Sequence, residues 1–450
     1  MTEKQSPTAI RGNKSPAPSL SVQLAAAAKK LETKKPAASN NGLEGWFPYY
    51  AGYTEQFAEG IIKAATQGQT LHVLDPWNGS GTTTRAAVGL GHFATGLDIN
   101  PVTTLVASAK LANPDDASHV LGLATRMAAA ANAEEVDRLD PLLAWLPPAA
   151  VRHFRTIEAR ILSELATTKN GGRLDPRINT LPPLSAFLLL ALIRSTKTLA
   201  SVKVSSNPTW TRPAESISRV RGKTLERAWI EQISQMSREL GAHGHPAQQA
   251  NAGSIRLAAS TAIPLADETV DLVVTSPPYC TRIDYAVGSS FELAALGIGE
   301  DTVAYRQLRA QAMGTPLSRA RQPQEPPTDW PDSVKRLLGS IRIHQSKASG
   351  TYYYKTYFQY FSDCLASLRE IYRVLHDKGS AVLVVQSSYY KDIYVDLPQL
   401  YVDCGQSLGF SANVGATTHV KKALAQINSC SRKHKAKKAY EESVVILERA

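Results

Sequence analysis

Two short stretches of this 450-residue chain carry residue types whose order suits group-transfer chemistry. The first is VDLVVTSPPY, Val270–Tyr279. A valine-rich apolar run reads as a buried parallel strand, and this one ends abruptly in a hydroxyl, two prolines and an aromatic ring. In open α/β sheets the ligand crevice lies beyond the carboxyl ends of the strands. Ser276, Pro277, Pro278 and Tyr279 therefore fall where a substrate meets the chain. The prolines remove backbone donors and stiffen the turn, which leaves carbonyls of fixed direction. The second stretch, LHVLDPWNGSGTTTRAAVGLG, reads as a strand over Leu71–Leu74, a small-residue turn over Asp75–Gly81 and a helix opened by Thr82 and Thr83. Such a turn lets the backbone approach a ligand closely, and the helix behind it presents unpaired N–H groups.

Past the turn and its helix, HFATGLDIN supplies a second short strand that ends in Asp98, about 20 residues past the glycines. An acid there accepts hydrogen bonds from ribose hydroxyls, with Ile99 able to lie against an adenine. The glycine turn lacks the Gly-Lys-Ser/Thr ending of a phosphate-binding loop and the G-x-G-x-x-G spacing of a dinucleotide fold. Ahead of it, Trp46–Ala65 holds an aromatic-proline turn and then Phe57, Ile61 and Ile62 at helical spacing behind Thr54, a helix cap.

In this order, TSPPY at Thr275–Tyr279, the D-P-x-x-G-S-G-T-T turn and the strand-end Asp98 resemble the amino-directed DNA methyltransferases, which methylate exocyclic nitrogens of cytosine or adenine. The resemblance covers residues 45–110 and 251–450 and implies S-adenosylmethionine as the cofactor. It assigns Asp75 to the cofactor's ammonium group and Pro76, Gly79, Ser80, Gly81, Thr82 and Thr83 to the turn around it. Tyr53 falls in the motif that helps wall the cofactor pocket. Ser254, in the place of an acidic residue, falls to the cofactor's exocyclic amine. Ser276 and the Pro277 carbonyl would accept the two hydrogens of the target amine while Tyr279 stacks on the extruded base. A Ser in S-P-P-Y goes mostly with N4 of cytosine in that family, and an Asp or Asn mostly with N6 of adenine. The implied partners are double-stranded DNA and, where one exists, a cognate restriction endonuclease.

The implied fold is α/β: a Rossmann-like methyltransferase sheet, mostly parallel, with an antiparallel C-terminal hairpin strand and a helical insert. Length exceeds one typical domain, and 43% hydrophobic content suffices for a large core. The expected division is a disordered basic arm over 1–41, a cofactor half over 42–112, a largely helical insert over 113–250 and a catalytic half over 251–450. Helical patterns are expected at Ala117–Arg138, Ala149–Thr167, Ser185–Leu199, Thr356–Leu375 and Leu397–Leu408, with Gly379 as a stop. The first insert reads either as a helical cap or as a target-recognition region through Arg212, Arg219, Arg221, Lys223 and Arg227. A polar segment over 298–350, with Arg306, Arg309, Arg319, Arg321, Arg336 and Arg342, reads as a loop that orders over nucleic acid or as a solvated surface. Near the proposed site lie Arg282, Asp284 and Tyr285. The run HVKKALAQINSCSRKHKAKKAY offers further cations to a phosphate backbone.

A net charge of +11 favours a polyanionic partner. Cys280, Cys364, Cys404 and Cys430 stand far apart with no metal spacing, which argues against structural zinc and for reduced thiols. No run reaches the roughly 18 apolar residues of a membrane span, so the expected setting is cytoplasmic, with no membrane partner. Two rival readings use the same residues: an RNA base methyltransferase, and a non-catalytic DNA-binding or cofactor-sensing protein. C5-cytosine methylation requires a Pro-Cys nucleophile, whereas Cys280 follows Tyr279.

Overall fold

The computed structural model describes residues 19–33, 42–47, 52–129, 136–168, 172–203, 210–243, 252–280, 284–319, 321–322, 324–420 and 439–449. Arg282, Cys430 and the lysine-rich run over 421–438 lie outside them. In chain order the first elements are α1 (Leu20–Ala28), α2 (Glu55–Ala65), β1 (His72–Asp75), α3 (Thr82–Gly89), β2 (Phe93–Asp98) and α4 (Pro101–Lys110). The insert comes next, with α5 (Val120–Ala129), α6 (Pro148–Leu165), α7 (Pro183–Leu199), the short strands β3 (Val202–Lys203) and β4 (Arg212–Pro213), and α8 (Gly222–His243). The chain re-enters the sheet through β5 (Gly253–Leu257) and β6 (Val270–Thr275). Five helices succeed them: α9 (Tyr285–Gly288), α10 (Ser290–Ala295), α11 (Val303–Gln311), α12 (Asp332–Ile343) and α13 (Tyr354–Val374). The last elements are β7 (Leu375–Gln386), the hairpin β8 (Ser388–Tyr390) and β9 (Ile393–Val395), α14 (Leu397–Ser407), β10 (Phe410–Val420) and β11 (Tyr440–Arg449).

Seven strands form one sheet in the order β10-β11-β7-β6-β1-β2-β5. Pairs from β7 to β5 are parallel, and β11 runs antiparallel to both β7 and β10. This is a mostly parallel, Rossmann-like sheet with the antiparallel C-terminal strand that the resemblance implies. β6 lies at its centre because alternate side chains feed two cores: Leu272 and Val274 meet α1, α2 and α3, whereas Val270 and Val273 meet α13 and α14. Apolar side chains on both faces of a strand need cover on both sides, which accounts for helices on each. Helix α2 begins at Thr54, whose hydroxyl accepts from the Phe57 amide at 3.1 Å. Helix α4 begins at Asn100 and has all ten residues buried, since it is wedged between the sheet and the insert. The insert has its own core around Trp145, Phe187, Leu188 and Trp229 and packs on α4 through α7.

Several expectations change. The arm over 1–41 contains an ordered helix: Leu24 is 0% exposed and, with Ala28, seats α1 against α2, β10 and β11. Spacing of four residues along one helix face suffices for this, although the composition resembles a solvated tail. The segment over 298–350 is also built in, because α12 buries Val334, Leu338 and Ile341 against α13 and α14. Helix α5 ends at Ala129 among the described residues, short of Arg138. Gly379 is no helix stop. The helix gives way to β7 at Leu375, and a Cβ on Gly379 would lie 2.9 Å from the His376 carbonyl oxygen.

Candidate active site

Beyond the carboxyl ends of β1, β2, β5 and β6 lies a cavity of about 850 Å³. Its wall includes Pro76 and Trp77 from the glycine turn, Asp98 and Ile99 from the end of β2, Ser276 and Pro278 from the end of β6, and Tyr285 from α9. Parallel strands side by side bring their ends to one level, so the two sequence stretches meet although about 200 residues separate them. The insert supplies the opposing wall with Arg177, Lys197 and Thr211.

Asp75 does not line the cavity. It is 3% exposed, and its Oδ1 accepts from the Thr275 hydroxyl at 2.6 Å and the Trp77 amide at 3.1 Å. Its Oδ2 accepts from the Thr83 hydroxyl at 2.8 Å, with the Tyr53 hydroxyl at 3.4 Å. The Thr83 and Tyr53 hydroxyls, one proton each, share those protons between Asp75, the Val274 carbonyl and each other. Asp75 therefore stands behind the turn, its carboxylate bracing it from inside. Burial raises its pKa to about 6 despite those hydrogen bonds. Tyr53 belongs to the same brace, since its hydroxyl also contacts the Val274 carbonyl at 3.0 Å and the ring is buried.

The remainder of the turn shapes the wall without being part of it. Gly79 and Gly81 adopt φ of 49° and 84°, and a Cβ on Gly81 would sit 2.9 Å from the Ala107 Cβ. Ser80 and Thr83 are buried, and Thr82 begins α3 half-buried. Asp98 stands half-buried on the wall and holds the turn in register, its Oδ2 accepting from the Gly79 amide at 3.1 Å and its Oδ1 from the Asn100 amide at 2.9 Å. Burial pushes its pKa upward, and the nearby Tyr285 hydroxyl is pushed up by burial and by Asp98.

Ser276 donates its hydroxyl proton to the Val384 carbonyl on β7 at 3.0 Å. That carbonyl only accepts, so the serine oxygen keeps its lone pairs for a donor in the cavity. Pro277 is buried within the turn. The next carbonyl, of Pro278, accepts from the Tyr360 hydroxyl at 2.9 Å, which pins the turn to α13. Tyr279 is not on the cavity wall. Its hydroxyl lies 3.4 Å from Ser276 Oγ and beside Glu442, and burial followed by Glu442 raises its pKa.

Ser254 is displaced from its expected place. It pairs with Thr95 while Leu257 pairs with Asp98, so it lies three residues, roughly 10 Å, below the strand ends. Leu257 and Ala258 reach the cavity instead.

Comparison with known proteins adds to this geometry. The chain is 24% identical over 307 residues to the type II methyltransferase M.BsoBI of Geobacillus stearothermophilus, a stretch covering 61% of this chain and 56% of that relative. It is also 24% identical over 152 residues to the type II methyltransferase M.AvaI of Nostoc sp. and of Anabaena variabilis, covering 31% of each chain. The likeness is to type II methyltransferases. The chain spans about half the length of the first of these relatives. No family model matches it.

The cavity residue Lys197 carried no sequence signal. Lys197 reaches out of the apolar helix α7 to pair with Glu292 at 2.7 Å, 95 residues away. Asp284 caps α9 and holds Arg309 through contacts of 2.8 and 2.6 Å, and Arg319 binds Asp363 at the cavity wall. Arg342 pairs with Glu325, and Arg306 donates to the Asp301 carbonyl at 2.7 Å. Four of the six arginines expected to meet nucleic acid are thus engaged within the chain. Among the described residues no group of three or more His, Cys, Asp or Glu side chains is placed to hold a metal, and no helix is long and apolar enough to cross a membrane. Cys280 is buried and off the cavity wall.

Proposed function

We propose that this protein transfers a methyl group from S-adenosylmethionine to an exocyclic amine of double-stranded DNA, and that the amine is N4 of cytosine. The observation that carries the reading is Ser276, whose proton is committed to Val384 so that its oxygen meets the cavity as an acceptor. The type II methyltransferase relatives support the reaction class.

The cavity suits the cofactor by volume and by its donor set. Its size falls in the range of small-molecule pockets. Asp98 offers an acceptor for ribose hydroxyls, while Ile99, Leu257 and Ala258 offer an apolar slot to adenine. Pro76 and Trp77 form the adjoining wall, and Gly79, Ser80, Gly81, Thr82 and Thr83 hold it in shape with Tyr53 and Asp75 behind. When bound, the cofactor supplies an electrophilic methyl group.

An aromatic exocyclic amine is a weak nucleophile because its lone pair is delocalised into the ring. Ser276 Oγ and the Pro277 carbonyl accept its two hydrogens and direct that lone pair outward. Tyr360, through the Pro278 carbonyl, keeps these acceptors from turning away. A target base must leave the duplex to reach them. Tyr279 stacks on that base in this proposal, by a turn of its ring from the position beside Glu442. Serine as the first residue of S-P-P-Y supports cytosine. The setting is the cytoplasm, beside a restriction endonuclease of the same sequence specificity where one exists.

The test is incubation of the full chain with methyl-labelled S-adenosylmethionine and unmodified DNA, then digestion to nucleosides and mass spectrometry. N4-methylcytosine is expected. N6-methyladenine as sole product overturns the choice of base, label in RNA alone overturns the substrate, and no transfer to either overturns the reaction.

A further inference from the structure

We propose that duplex DNA lies against the surface formed by Trp210, Arg212, Arg219, Arg221, Lys223 and Arg227, on the insert beside the cavity mouth. This rests on the methyltransferase reading for the identity of the duplex and on separate observations for the place. All five cations are exposed, and none has an acidic partner among the described residues. Glu215 pairs with Lys203 at 2.8 Å, and Glu226 and Glu231, although close in sequence, form no ion pair with these cations among the described residues. Like charges carried on one segment without acidic partners repel one another, so the segment is complementary to a polyanion.

Trp210 sharpens the assignment. Its ring is 39% exposed, with the Arg212 guanidinium 5.1 Å from its centroid, and Ile217 stands exposed nearby in the chain. An exposed indole flanked by arginine provides a stacking platform for a base as well as charge for a phosphate. Thr211, between these two residues, is on the cavity wall and contacts the Gly288 carbonyl at 3.4 Å. The patch therefore adjoins the space that one extruded nucleotide would enter, while the phosphate backbone stays outside on the cations.

The second insert offers a contrast. Arg309, Arg319 and Arg342 are spent on Asp284, Asp363 and Glu325, and breaking those pairs to bind phosphate would forfeit what they already gain. Between two arginine-bearing segments, the first alone combines free charge, an exposed indole and a residue in the cavity wall.

The experiment measures affinity of the full chain for a mixed-sequence duplex over a salt series, with fluorescence anisotropy as readout. Three proteins are compared: wild type, the triple variant Arg219→Gln, Arg221→Gln, Lys223→Gln, and a control triple Arg306→Gln, Arg321→Gln, Arg336→Gln. Each phosphate contact contributes about 0.9 to the slope of log affinity against log salt, so the first triple is expected to lower it by about 2 to 3. The control is expected to leave it unchanged. Calorimetric binding of S-adenosylmethionine reports folding, and the single variant Arg227→Gln, with an expected loss of about 0.9, reads the same surface if the triple does not fold. Trp210→Ala is expected to lower kcat/KM on duplex about tenfold, since base stacking is worth about 1–3 kcal/mol, with the salt slope unchanged. An unchanged slope in the folded triple, a loss confined to the control, or a loss seen with an RNA hairpin and not with the duplex overturns the proposal. Duplex binding through this surface without methyl transfer overturns the proposed function instead and leaves the surface standing.

Discussion

The Ser276 hydroxyl points away from the space it serves, donating to the Val384 carbonyl on the neighbouring strand at 3.0 Å. Ser276→Ala removes one of the two acceptors proposed for the amine and little else of size. Single-turnover methyl transfer is expected to fall about 100-fold, with S-adenosylmethionine affinity retained. Ser276→Asp is expected to be inactive too, because an ionised carboxylate oxygen cannot donate to Val384 and meets its carbonyl with like partial charge. Activity in Ser276→Ala near the wild-type level would remove serine from the mechanism.

Asp75 predicts a pH dependence. Its folded-state pKa of about 6 exceeds the ordinary 3.8, so the folded state binds more protons between those values. Stability is full below pH 4, declines as pH rises toward 6 and then levels, a change of about 3 kcal/mol from this group. Asp75→Asn keeps an acceptor for Thr275 and Trp77 but cannot ionise. Its urea midpoints are expected to lack that decline, and parallel wild-type and variant curves would refute the account. Asp75→Ala is expected to destabilise instead, because it leaves buried hydroxyls without their acceptor.

Arg309 and Asp284 form a pair whose acid is nearly buried, with 7% of its side chain exposed. Arg309→Ala is expected to cost about 3 kcal/mol by stranding that charge. The double variant with Asp284→Ala should recover part of the loss. Denaturant titration of the four proteins gives the coupling, and strict additivity would show that the pair contributes nothing jointly.

Leu24→Ala should cost about 2–4 kcal/mol in unfolding experiments, the range for a buried leucine. A dispensable arm would show no change.

The sheet is legible because a parallel strand writes itself as a short apolar run, and because Gly79 and Gly81 mark a backbone that other residues resist. Ser276 and Asp98 can be placed from chain position alone, since strand ends carry them. Ser254 cannot, because its height depends on pairing with Thr95, a register that local sequence does not encode. Asp75 reads as a ligand's partner in the sequence, whereas its partners are Thr275 and Thr83, one of them 200 residues away. The arginines of α11 and of the segment after it look free for the same reason: Asp284 and Asp363 are acids whose proximity only the tertiary fold creates.

Helix α1 has a bearing on how the chain is made. It rests on β10 and β11, and Thr33 donates to Glu442, 409 residues further on. Synthesis delivers α1 and α2 long before β10 and β11, so the apolar side of Leu24 and Ala28 meets α2 early and the sheet edge only late. Contacts this distant slow folding and prolong exposure of adhesive surface. The sheet edge formed by β10 and β11 can thus take up α1 only after the long intervening chain has been made, and until then α2 alone covers the helix.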